Sequence, residues 1–216
     1  MTDVADEDAR IRELPDGLWA RLRADPARAP EHLALAAAAQ HGPAARDWVA
    51  ERRRTYAVSG AELALMAKRR HASLARLGGA AMGVGGFVTI VPDLAATAWV
   101  QSRCVFVVAA AYGFDPLDPM RPAEQLVLQE LYPDVASARA ALDGAGKHVA
   151  QAMAEARLGG SASETLAKRL ARMVGKRAVK RVGTRLIPGL AIVTNAVGNE
   201  RDTRALADRA MAFYGG

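Results

Sequence analysis

Residues 70–116 read RHASLARLGGAAMGVGGFVTIVPDLAATAWVQSRCVFVVAAAYGFDP, and this stretch decides the fold of the chain. It is the most apolar part of the sequence, it is rich in glycine, and its polar side chains are isolated. Small residues recur in it every three or four positions, at Ala72, Ala75, Gly79 and Gly83. On a helix this spacing forms a face on which a second helix can approach closely. The first half of the stretch therefore predicts a tightly packed helix.

The second half of the stretch predicts another helix, with Pro92 as its boundary. The β-branched run before Pro92 is expected to end there, and Asp93 suits the positive end of a new helix dipole. That helix should reach Tyr112 and end at Gly113, because glycine favours the backbone conformation of a helix C-terminal cap. Together the two halves predict a glycine-rich, apolar helical hairpin.

The composition of the whole chain favours helices around this hairpin. In 216 residues, 51% are hydrophobic but only 5% aromatic, and alanine, leucine and arginine, which are strong helix formers, are abundant. We therefore predict an all-α, single-domain helical bundle. Residues 1–30, which contain three prolines, are expected to form a loose arm with a short helix near residues 18–22, and residues 31–216 the helical domain.

Two local signals divide the chain before the hairpin. The alanine-rich run from Glu31 is expected to break at Gly42 and Pro43, and a separate helix to follow over residues 44–56. Ser59 and Glu62 have the spacing of a capping box, which predicts a helix start.

The N-terminal sequence MTDVADEDAR lacks a basic region followed by an apolar one, so we expect no secretory signal and a cytoplasmic protein. The single cysteine, Cys104, excludes an internal disulfide.

The hairpin has two interpretations. Asp93 and Arg103 would each cost about 2.5–3.5 kcal/mol at the centre of a bilayer, and the uncharged runs beside Pro92 are shorter than a membrane span. These costs favour a hairpin buried in a soluble core. An interfacial or re-entrant membrane segment is the alternative, and neither interpretation needs a transmembrane helix.

Positive charge is concentrated in one segment. Between residues 161 and 187 there are eight basic side chains and one acidic one, whereas the whole chain has a net charge of +6. Helical geometry puts the first four bases on one face and Leu166, Leu170, Met173 and Val174 on the other. We predict that this surface binds an anionic membrane or a membrane protein complex. Its residues are Lys168, Arg169, Arg172, Lys176 and Lys180. Nucleic acid is disfavoured because no helix-turn-helix or aromatic stacking pattern accompanies the charge.

A polar stripe crosses the second helix of the hairpin. Asp93, Thr97 and Gln101 are spaced at i, i+4 and i+8, so they share one helical face. Buried polar groups without partners cost about 1–3 kcal/mol each. Either polar groups of other helices satisfy them, or they form a head-group site for a lipid-like ligand. The candidate ligand-binding residues are Asp93, Thr97, Gln101, Arg103, Tyr112, Asn195 and Asn199.

Motifs for catalysis and metal binding are missing from the sequence. The four histidines have no HExxH spacing, and the Gly-Lys at 146–147 lacks both the leading glycine and the following hydroxyl of a phosphate loop. We therefore predict no catalytic residue, no metal and no cofactor, and a non-enzymatic protein. Two alternatives stay open. One is a hydrolase or peptidase whose groups, including His71 and Asp93, are assembled by the fold, and the other is a soluble carrier of a lipid-like ligand.

Several features in this order resemble the bacterial EcsC protein family. They are the glycine-rich stretch, the Asp-Leu after it, the closure Tyr-Gly-Phe-Asp at 112–115 and the late helix with Asn195 and Asn199. The resemblance covers about residues 69–214. The family takes its name from a protein encoded beside an ABC transporter, and its members have no established activity. The resemblance implies a helical bacterial protein that acts near the cytoplasmic membrane, and it implies no catalytic residues.

Overall fold

A computed structural model describes residue 11 and residues 13–81, 87–144, 162–175 and 191–216, with side chains for all of these except 77–81, 87–90, 162–164 and 191–197. This described part contains eight α-helices and no strand, which confirms the all-α prediction. The helices are α1 Leu18–Ala24, α2 Ala29–Thr55, α3 Gly60–Ala81, α4 Phe87–Ala111, α5 Arg121–Leu128, α6 Val135–Leu142, α7 Ala162–Val174 and α8 Ala191–Gly215. A single 3-10 turn, Pro26–Arg28, joins α1 to α2.

Helix α4 lies at the centre of the bundle. Helices α2, α3, α7 and α8 all pack against it, and nearly every side chain from Val91 to Ala111 is buried. By length and composition alone this segment could cross a membrane, yet 89% of its most apolar 18-residue stretch is buried inside the protein. A predominantly apolar helix that is enclosed by other helices is the core helix of a bundle.

Prolines do not end helices where the sequence predicted. Helix α4 begins at Phe87, with Pro92 inside it, and α2 runs unbroken through Pro43. The predicted boundaries at these prolines are therefore wrong, because neighbouring elements bury residues on both sides of each proline and hold them helical. Gly42 has a packing role instead: a Cβ added there would lie 2.8 Å from the carbonyl oxygen of Pro116.

Helix α8 runs antiparallel to α3, and α3 packs on α4. Lys68 of α3 pairs with Asp208 of α8 at 2.5 Å. Eight residues further along α3, Arg76 pairs at 3.9 Å with Glu200, which lies eight residues earlier in α8. Because α3 packs on α4, the predicted contact of the two hairpin helices is present. Gly83 lies outside the described residues, so the contact through its small-residue face stays a prediction.

The start of the chain and the start of α3 agree with the sequence. Leu18 and Leu22 of α1 are fully buried and α1 packs against α2, so the short helix predicted near them is confirmed. A domain boundary after residue 30 stays a prediction. The capping box of α3 is confirmed: the Ser59 amide donates to Glu62 at 2.7 Å, and the Glu62 amide donates to the Ser59 hydroxyl at 3.2 Å.

Candidate functional site

The polar stripe of α4 faces polar side chains of α8. Asn199 Nδ2 donates to Thr97 Oγ1 at 3.1 Å, and Gln101 Nε2 donates to Thr203 Oγ1 at 3.3 Å. Thr203 in turn donates to the backbone carbonyl of Asn199 at 2.7 Å. All four side chains are buried. We call Thr97, Gln101, Asn199 and Thr203 the central polar cluster, and its hydrogen bonds fix the position of α4 relative to α8.

The C-terminal end of α7 joins this cluster. Gln101 Nε2 also donates to the carbonyl oxygen of Val174 at 3.1 Å. Gly175 follows with a φ of 141°, and a Cβ added to it would lie 3.1 Å from Cγ of Asp202. No other residue fits this backbone conformation and this space as well as glycine. Three helices therefore meet at the central polar cluster.

The structure brings together only some of the predicted ligand-binding residues. Asp93 is buried on the same helix as the cluster, whereas Arg103 is half-buried. Tyr112 lies beside Gly215, about 20 Å along α4 from Thr97, and does not belong to the cluster. Asn195 belongs to α8, but its side chain lies outside the described residues. Ligand binding at these positions stays a prediction.

Sequence reasoning missed Thr203 and Asp202, although a signal for Thr203 existed. Thr203 lies four residues after Asn199, so it lies on the α8 face that was expected to form hydrogen bonds with the polar stripe of α4. Asp202 carried no such signal, because its position follows from the close approach of α7 to α8 at Gly175.

A buried histidine lies on another side of α4. The ring of His41 packs against that of Trp99, with centroids 4.1 Å apart, and only 1% of the residue is exposed. Burial, and secondarily the charges of Arg103 and His71, hold the pKa of His41 well below its usual value of 6.5. His41 is therefore neutral in the folded protein at neutral pH.

Acid is expected to destabilise the protein through His41. Because its folded-state pKa is lowered, its contribution to stability is complete above pH 6.5 and is lost as the pH falls below that value. The loss approaches about 1.4 kcal/mol for each further pH unit. Urea unfolding between pH 7.5 and 5.5 should show a falling midpoint in the unmodified protein and a flatter profile in His41→Phe. Parallel profiles for the two proteins would contradict this assignment.

Helix α7 separates charged from apolar side chains. Leu166, Leu170, Met173 and Val174 are all buried, as their spacing predicted. On the other side Lys168 and Arg172 are exposed, and Arg169 is half-buried. Lys176 and Lys180 lie outside the described residues. Of the basic surface predicted to bind an anionic membrane, the structure thus describes the three bases of α7 itself.

A charged cluster, which the sequence did not indicate, fixes the C-terminus of α8. The guanidinium of Arg121 pairs with Glu124 and, at 3.4 Å, with Asp118. It lies 5.4 Å from the ring centre of Phe114 and 5.6 Å from that of Tyr214. Tyr214 donates its hydroxyl to Glu124 at 2.6 Å. Burial and the neighbouring Glu124 carboxylate raise the pKa of Tyr214, so the hydroxyl keeps its proton.

The described residues offer little for covalent or metal chemistry. Among them, no three histidine, cysteine or acidic side chains are grouped so that they could hold a metal ion. Cys104 is fully buried, and burial raises the pKa of its thiol to about 12, so the reactive thiolate is not formed at neutral pH.

Comparison with known proteins gives one match. A family model described as the EcsC protein family matches residues 60–215, which is well over half of the chain. No curated protein and no solved structure matches.

Proposed function

This chain belongs to the EcsC protein family, and from that premise we propose that it is a non-enzymatic protein that binds peripherally to an anionic membrane surface. The binding surface is the exposed basic side of α7, and the lipids it meets are those of the inner face of the cell membrane. A membrane protein complex with an acidic surface would be recognised by the same chemistry.

The division of α7 into two faces supports this proposal. Its apolar face is buried in the bundle, whereas Lys168 and Arg172 are exposed on the opposite side. The two charges are therefore held on a fixed surface of the folded protein. Because the apolar face is already occupied by the core, α7 has no apolar side free to enter the bilayer, and the attraction must be electrostatic.

The sequence after α7 extends this positive charge. Five more bases follow within residues 176–187, and no acidic residue lies among them. A basic residue close to an anionic membrane surface contributes about 1 kcal/mol, so several of them give measurable binding. The same contribution falls with added salt because ions screen the charges.

Charge removal on α7 tests the location of the surface. In Lys168→Gln/Arg172→Gln, the loss of two charges is expected to reduce affinity for vesicles containing phosphatidylglycerol by about 2 kcal/mol, or about 30-fold. The measurement is co-sedimentation of the full chain with vesicles over a range of lipid concentrations, with circular dichroism to show that the variant is folded.

The matched control is Arg46→Gln/Arg54→Gln. It removes the same charge from exposed positions of α2, and Arg54 lies about 34 Å along that helix from Glu31. The start of α2 lies beside the Pro26–Arg28 turn, and this turn packs against α7. Arg54 is therefore at the end of α2 that is farther from α7. The control is expected to bind nearly as well as the unmodified protein. Equal losses in both variants would show a response to net charge alone and would contradict a surface on α7.

The two alternatives from the sequence gain no support. A fold-assembled hydrolase needs His71 and Asp93 in an open cleft, and both side chains are buried. A lipid-like ligand at the polar stripe would have to displace the hydrogen bonds that α8 already makes to Thr97 Oγ1 and Gln101 Nε2, and of these two side chains only Gln101 Oε1 has no partner among the described residues. We therefore put forward neither as a second function.

A further inference from the structure

A second buried polar cluster joins α4 to α5. Ser102 of α4 donates its hydroxyl to the carbonyl oxygen of Ala98 at 2.8 Å. Gln125 of α5 donates through Nε2 to Ser102 Oγ at 2.7 Å and to Gln129 Oε1 at 3.4 Å. Ser102 and Gln125 are 0% exposed and Gln129 is 3% exposed, so solvent does not reach this cluster from outside.

The hydrogen bonds fix the direction in which each amide points. A serine hydroxyl has one hydrogen, and that of Ser102 goes to Ala98, so Ser102 Oγ can only accept another bond. The atom of Gln125 that faces it must therefore be the amide nitrogen. The second hydrogen of that nitrogen points to Gln129, so the facing atom there is the amide oxygen.

Two polar atoms are left over by this arrangement. Within the described part of the chain, Gln125 Oε1 and Gln129 Nε2 have no hydrogen-bond partner, although both are buried. One is an acceptor and the other is a donor, and their amides are already in contact with each other. Buried groups of this kind in native proteins are satisfied by other protein groups or by ordered water.

We infer that this cluster is a binding site for one internal water molecule. The water donates a hydrogen bond to Gln125 Oε1 and accepts one from Gln129 Nε2, which is the minimum of two polar partners that a buried water needs. A larger polar ligand is disfavoured because both amides are closed off from solvent and touch each other. The water completes the hydrogen bonding of Gln125, the residue that joins α5 to Ser102 of α4.

Nuclear magnetic resonance of the full chain tests this site directly. The unmodified protein is expected to show cross-peaks between a long-lived water and the side-chain amide hydrogens of Gln129. Gln129→Met removes the donor and should abolish these cross-peaks, whereas Gln40→Met, which changes an exposed glutamine of α2, should leave them intact.

A high-resolution crystal structure provides a second measurement that does not depend on a variant. It should show a water oxygen about 2.7–3.2 Å from both Gln125 Oε1 and Gln129 Nε2. The inference is overturned if the unmodified protein lacks both the cross-peaks and the water density, or if Gln129 bonds directly to another protein group.

Discussion

Replacing Arg121 with methionine is expected to lower the free energy of unfolding by about 3 kcal/mol or more. The side chain of Arg121 is only 8% exposed, and that of its partner Glu124 is 12% exposed. Removing one partner of a buried ion pair leaves the other charge without compensation, which commonly costs about 3–5 kcal/mol. Methionine preserves much of the volume between Phe114 and Tyr214, so the effect reports mainly on the charge.

The position of this cluster in the fold explains why the loss is large. Asp118, Arg121 and Glu124 belong to the loop before α5 and to α5 itself, whereas Tyr214 closes α8. The cluster therefore joins the last turn of the chain to the middle of it. Without the guanidinium, the C-terminal turn of α8 is also expected to exchange its amide hydrogens faster, because the contact that holds Tyr214 is weakened.

Urea unfolding of Arg121→Met and of a matched variant measures the effect. Arg204→Met removes an arginine that also pairs with a glutamate, Glu200, but its side chain is 46% exposed. An exposed pair contributes about 1 kcal/mol or less, so this control should lose little stability. A loss below 1 kcal/mol for Arg121→Met would show that the buried cluster does not hold α8.

Trp99→Ala is expected to destabilise the protein by about 3–5 kcal/mol. Trp99 is the largest of the fully buried side chains, and it lies in the middle of α4 against His41. Truncating a buried tryptophan to alanine removes its apolar burial and leaves a cavity that its neighbours fill only partly. Because α4 is in contact with five other helices of the described part of the chain, they cannot all close toward the cavity together.

A half-buried tryptophan provides the comparison for Trp99. Trp19 of α1 packs against the core with part of its surface in solvent, so Trp19→Ala should cost clearly less. The measurement is the shift of the urea midpoint at equal slope for the two variants. Equal or reversed losses would mean that α4 is not the centre of the core.

The sequence predicted those features that depend on local pattern. The spacing of leucines on α7 predicted its buried face, the pair Ser59 and Glu62 predicted the start of α3, and the apolar run of α4 predicted its place in the core. In each case the side chains that carry the signal lie within one helix or at its start, so helical geometry alone relates them.

Features that depend on contacts between distant residues were missed. Pro43 and Pro92 were expected to end helices, because each removes a backbone hydrogen bond, and the packing of neighbouring helices overrides that loss. The cluster of Arg121 and Tyr214 joins residues 93 positions apart in the sequence, and no local pattern indicates such a pair. The polar stripe of α4 was recognised, but Thr203 became visible only once α8 was placed beside it.

Binding of the unmodified protein to vesicles measures whether it attaches electrostatically to an anionic membrane surface. Purified full chain is sedimented with vesicles of neutral phosphatidylcholine and with vesicles that also contain anionic phosphatidylglycerol, each at low and at high salt. We expect binding only to the anionic vesicles, and reversal of that binding by salt, because the attraction is electrostatic. Equal binding to neutral vesicles, or binding that persists at high salt, would contradict this expectation, and so would the absence of binding to either vesicle at low salt.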